Sequence, residues 1–133
     1  MVALFATAAV SCSKDTEDLI IGSWNEEEVI YSYVLNGVAQ EPMSMLEPGE
    51  TATITFNEDR TYNSIYHSTV GDAEDSGTWS YADNKLTIIS DGSPMVYDID
   101  HIDKNNMTLI YNEEGEEDGD TYSVTISMKM KRI

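Results

Sequence analysis

From Leu19 onward the chain alternates apolar and polar residues with a period of two, and this pattern governs what it can fold into. Thr51–Phe56 puts Ala52, Ile54 and Phe56 on one face and Thr51, Thr53 and Thr55 on the other. Tyr122–Met130 sets Tyr122, Val124, Ile126, Met128 and Met130 against Ser123, Thr125, Ser127 and Lys129. Successive side chains of a strand point to opposite faces, so this is the pattern of a half-buried antiparallel strand. A helix cannot produce it. Met95–Ile99 and Met107–Tyr111 repeat the pattern, and Trp79–Tyr81 and Leu86–Ile88 give shorter matches. Eight strands are expected, over about 22–35, 51–57, 60–68, 77–82, 85–90, 94–102, 106–112 and 121–132. Only Val38–Glu50 has room for a helical turn, and no internal repeat or domain linker interrupts the series.

The connections alternate in length. Asn36–Glu50, Thr69–Ser76 and Glu113–Asp120 read as long loops, whereas Asn57–Asp59, Asp83–Asn84 and Asp103–Asn105 are short. In an up-and-down meander alternate connections lie at opposite ends, so the long loops share one end and the tight turns the other. The fold expected is therefore all-β, an eight-stranded antiparallel up-and-down barrel with an elaborated rim and a plain base. A chain of 133 residues, 41% of them apolar, has room for one such domain and a packed core.

Charge and chemistry narrow the function. Acidic residues outnumber basic ones 25 to 7, for a net charge of −18. Such a chain lacks the basic face that phosphate attraction needs, so nucleic acid is excluded, as is docking to anionic lipid through surface charge. The single Cys excludes an internal disulfide framework and a Cys-based zinc site. No nucleophile elbow, zinc-protease motif or P-loop occurs, so neither catalysis nor a cofactor is expected. The cluster of Asp98, Asp100 and Asp103 beside His101 alternates onto the solvent side of its strand, and His67 stands apart from any nucleophile. The acidic run Glu113–Asp120, with Asp72, Glu74, Asp75 and Asp91, lacks the spacing of a calcium loop and reads as a solvated face, so no metal is expected.

Met1–Val10 is apolar and uncharged and is followed by Ser11 and Cys12. The run Ala9-Val10-Ser11-Cys12 resembles the bacterial lipobox. The resemblance implies a signal peptide over 1–11, acylation of Cys12, and a polar tether over 12–18 leading to a domain over 19–133. It places the protein as an outer-membrane lipoprotein, on the cell surface or the periplasmic face. Each buried acyl CH₂ would contribute about 0.8 kcal/mol to that anchor.

The first strand opens with Gly22-Ser23-Trp24 and the chain ends Lys131-Arg132-Ile133. This resembles the lipocalin and calycin pattern, which implies that Trp24 crosses the barrel base with Arg132 packed over its indole. Gly77–Ile88 and Ile102–Leu109 resemble the small lipocalin-like domains of bacterial lipoproteins.

An eight-stranded barrel can be filled by its own side chains or hold one small ligand. The inward candidates for a cavity wall are Ile54, Phe56, Trp79, Tyr81, Ile88, Tyr97, Ile99, Leu109, Tyr111, Val124, Ile126 and Met128. Met43, Met45 and Leu46, between Pro42 and Pro48, are candidates for a lid. The negative rim would repel anions, so the expected ligand is small, largely apolar, and neutral or cationic. The expected role is carriage or sequestration of that ligand. The alternative is a filled barrel that acts as a protein-interaction subunit or hydrolase inhibitor, meeting an envelope partner through its acidic rim loops.

Overall fold

The computed structural model describes residues 15–133; Cys12 and the apolar run before it lie outside the described residues. Eight strands form the wall: β1 (Gly22–Leu35), β4 (Thr51–Phe56), β5 (Thr61–Ser68), β6 (Gly71–Ala82), β7 (Lys85–Ser90), β8 (Ser93–Ile102), β9 (Asn106–Glu117) and β10 (Asp120–Arg132). Two-residue strands β2 (Val38–Ala39) and β3 (Met43–Ser44) lie in the first connection and pair with β1. Each wall strand pairs antiparallel with its neighbour in the chain, and β1 with β10, from Trp24 opposite Arg132 to Leu35 opposite Tyr122, closes the ring. The result is a closed eight-stranded up-and-down barrel.

Two of the expected long loops are instead strand. Thr69–Ser76 is a two-residue turn at Thr69 and Val70 followed by the start of β6, and Glu113–Glu117 is the end of β9. Backbone pairing does not require one buried face, so both hairpins run on past the core with charged residues on either side. Asp118 and Gly119 (φ 52° and 84°) make the second turn, with the left-handed backbone that two-residue hairpins favour. Asn36-Gly37, Asp83-Asn84 and Asp91-Gly92 turn the same way. Val38–Glu50 holds no helical turn: Asn36-Gly37 sends the chain straight back along β1.

The base is solid. Trp24 is fully buried, its Nε1 donating to the Ile20 carbonyl at 2.9 Å, and the Arg132 guanidinium carbon lies 4.2 Å from the indole centroid. Arg132 also donates to the carbonyls of Leu19, Ile21 and Lys104, so it ties the last strand to the chain entering the barrel. The glycine of Gly22-Ser23-Trp24 is required here, because its φ is +131° and a Cβ would collide with Arg132 Nη1. A second pair repeats the device. Arg60 stacks over Trp79 at 4.4 Å, Trp79 Nε1 donates to Asn57 at 3.0 Å, and Phe56 meets the indole edge-on at 5.7 Å. Each such cation–π contact contributes about 0.5–2 kcal/mol. Residues 15–20 form a short helix against this end, with Ile20 buried in the core and Glu17 ion-paired to Arg60. From Asp15 the chain is thus folded where the sequence suggested a tether.

Candidate functional site

β1 pairs with β4 only from Gly22 to Asn25. Beyond that, β1 takes a bulge between Glu26 and Glu28 and leaves β4, while its pairing with β10 continues to the rim. The wall opens along this seam. The connection 36–50 lies over the gap, held to β1 by Met45 N–H donating to Val29 and Gln40 N–H donating to Tyr33, both at 2.8 Å.

Behind the seam is a cavity of about 360 Å³, within the range of small-molecule sites. Met95 and Tyr97 of β8 line it, as do Ile126 and Met128 of β10, the strand paired with β1. Glu26 and Val29 come from β1, Ala52 from β4, and Ser64, Ile65 and Tyr66 from β5. Met45 and Leu46 line it from the covering connection.

The structure brings only part of the expected wall to this space. Tyr97, Ile126 and Met128 line it, as do Met45 and Leu46 of the expected lid. Met43 does not; it pairs with Tyr31 and is 59% exposed. Ile54, Phe56, Trp79, Ile99 and Leu109 are buried core beneath the cavity, and Tyr81, Ile88 and Tyr111 pack against that core. Val124 is half-buried farther up β10. These nine lie outside the cavity lining: the five core residues because inward aromatic and branched side chains near the base fill a barrel of this width, Tyr81, Ile88 and Tyr111 because they pack onto that core, and Val124 because it stands nearer the rim. Trp24 and Arg132 stand together at the base.

The sequence reading missed Glu26, Val29, Ala52, Ser64, Ile65, Tyr66 and Met95 as cavity residues. A signal for some was present. Ala52 and Ser64 are small residues at inward positions, where a hollow forms, and Glu26 follows Trp24 by two, hence on the same face.

Residues 20–129 match the lipocalin-like domain family. The chain belongs to that family. Its barrel also resembles the crystal structure of a lipocalin-like protein from Bacteroides uniformis, at 11% identity and a TM-score of 0.53, over 86% of this chain and 99% of that one. At that identity the likeness speaks for the fold. No curated protein matches the chain.

Within this lipocalin-like barrel the cavity has one carboxylate, Glu26, and it has no partner among the described residues. Burial raises the Glu26 pKa above its ordinary value, and no described residue donates a hydrogen bond to it. Three hydroxyls line the same space, those of Ser64, Tyr66 and Tyr97, and the two tyrosines are engaged elsewhere. Tyr97 O–H points to Met95 Sδ at 3.7 Å, and its pKa is pushed up to about 12, first by burial and then by the negative charge of Glu26. Tyr66 bonds Glu50 at the mouth, which raises the tyrosine and lowers the carboxylate. Glu26 also borders an outer depression with Glu27, Glu47 and Glu50. Among the described residues no Lys, Arg or His lines either space, and no group of three His, Cys, Asp or Glu could hold a metal ion.

Proposed function

We propose that the protein holds one small, largely apolar molecule in the cavity behind the β1–β4 seam, for carriage or sequestration and without catalysis. The observation that carries this reading is the cavity itself: a hollow of about 360 Å³ with mostly apolar walls, in a barrel whose other half is packed solid. Apolar surface removed from water there is worth about 25 cal/mol per Å². Met45, Met95 and Met128, unbranched and polarisable, adapt to an irregular ligand outline. Access is past the connection carrying Met45 and Leu46. Acylated Cys12 would hold the protein at the outer membrane. The helix over 15–20 meets the barrel at its base through Ile20 and Glu17, which supports an attachment that leaves the seam and rim free.

Titration with N-phenyl-1-naphthylamine, a neutral dye that brightens in apolar surroundings, tests this. Saturable binding near one site per chain is expected. Ala52→Phe and Tyr97→Trp, which both fill the cavity, should each weaken it by about tenfold or more while circular dichroism stays that of the folded barrel. Absence of saturable binding by a cooperatively folded protein would overturn the reading and turn attention to envelope partners of the acidic rim.

A further inference from the structure

The cavity offers a ligand more than apolar contact. Its one charged group, Glu26, is partly buried, and among the described residues neither a hydrogen-bond donor nor a cation is paired with it. The other titratable groups lining its two spaces are Tyr97 from β8, Tyr66 from β5, Glu27 beside it on β1, and Glu47 and Glu50 from the covering connection. Neither tyrosine serves it, because one hydroxyl goes to Met95 Sδ and the other to Glu50. A carboxylate partly withdrawn from water without a partner carries a desolvation cost, and an opposite charge a few ångströms off offsets it. The protein does not supply that charge, so the ligand can. Glu27, Glu47 and Glu50 line the approach with the same sign, favouring a cation at each step inward and opposing an anion.

From this geometry we infer that the cavity selects amphiphiles with a positively charged head group, Glu26 being the counter-ion and Val29, Met95, Ile126 and Met128 the seat of the apolar body. The inference rests on the ligand-holding role proposed above and names its ligand class: aliphatic or aromatic amines and quaternary ammonium compounds of modest size. Glu26 then fixes the orientation, with the head group toward the seam and the tail toward β8 and β10.

Three probes with the same tail isolate the charge: octylammonium, octanol and octanoate, titrated calorimetrically into the full chain at neutral pH. Octylammonium is expected to bind about tenfold or more tighter than octanol, and octanoate not at all. In Glu26→Gln the cation should lose its advantage while octanol binds as before, so that octanol also certifies an intact cavity. Glu58→Gln, exposed in the turn between β4 and β5 at the base and lining neither space, should keep the advantage. A partly shielded pair is screened less than exposed surface charges, so part of the preference should survive added salt. Equal binding of octylammonium and octanol, or tighter binding of octanoate, would overturn the inference and leave the ligand-holding role standing. A preference that survives Glu26→Gln and fades in salt would assign it to the surface charge and equally overturn it. Failure of all three probes to bind would remove both readings.

Discussion

The two halves of the barrel share one backbone pattern and have different interiors. At the base the inward positions hold Trp24, Phe56, Tyr62, Trp79, Leu86 and Met107, all buried and in contact as one core. Farther toward the rim, on the same face of the same strands, stand Glu26 above Trp24, Ala52 above Phe56 and Ile54, Ser64 above Tyr62, and Gly77 above Trp79. Alternation decides which residues face inward. Side-chain size at each height decides whether the inside is full or hollow, and an arc of small or charged residues on β1, β4, β5 and β6 over the aromatics of the base leaves the hollow. The seam adds an asymmetry, because β1 leaves β4 at the height where the small residues begin.

The strongest way to break this contrast is at the base. Trp24→Ala removes a fully buried indole, its bond to Ile20 and the surface under Arg132. Such truncations cost about 3–5 kcal/mol, a large share of the 5–15 kcal/mol typical of a whole domain. Urea unfolding should show a midpoint shift of that size. A loss below about 1 kcal/mol, the range of ordinary surface changes, would mean the base is not the stabilising half.

Gly77 marks the boundary between the halves. A Cβ there would collide with the backbone carbonyl of Ile89 and lie 2.9 Å from Tyr62 Cε1, and the carbonyl cannot swing aside as a side-chain tip could. Gly77→Ala should therefore cost about 1–3 kcal/mol in the same unfolding experiment, although the residue is not in a left-handed conformation. At the rim the sign reverses. Ala52→Leu adds methyl groups where there is space, so stability should hold or rise by about 0.5–2 kcal/mol while dye binding weakens. Destabilisation with unchanged binding would show that residue 52 does not face the hollow.

The contrast also explains what could be read from the chain. Period-two alternation is strongest where one face is buried, so the base halves of all eight strands were legible, while the Trp24–Arg132 pair followed from the resemblance of Gly22-Ser23-Trp24 and Lys131-Arg132-Ile133 to the lipocalin pattern. Around Glu113–Glu117 both faces meet water, the alternation vanishes, and strand reads as loop. There the Asp118-Gly119 dipeptide was the remaining sign of a hairpin. The cavity was less legible. Its position depends on which residues share a height, and that follows from register, such as Gly22 opposite Phe56 and Thr53 opposite Ile65, rather than from any one strand. Glu26 was hidden for a different reason: an acidic residue reads as solvent-facing unless its parity is counted from Trp24.

The smallest effects are those of pH, and they set the halves apart by sign. At the base, Asp103 accepts from the backbone N–H groups of Asn105 and Asn106 and bonds His101, which together hold its pKa at about 2, below the ordinary 3.8. A depressed carboxylate contributes stability that is present above its unfolded pKa and is lost as pH falls through the folded one. Asp103→Asn should thus be less stable than the parent at neutral pH, with the gap closing between pH 3.8 and about 2. Glu26 is the opposite case. Its pKa is raised above 4.5, so ionisation opposes folding, and the parent loses stability as pH rises through the folded value. Glu26→Gln should be more stable than the parent at neutral pH and equal to it below about 4.5. Urea midpoints measured across this pH range for both variants would separate the two signs, and a Glu26→Gln gap that stays constant with pH would mean the carboxylate is fully hydrated. Octylammonium makes the comparison sharper still. A bound cation lowers the Glu26 pKa, so the parent should gain more stability from the probe as pH rises, whereas Glu26→Gln should gain the same amount at every pH at which the amine stays charged.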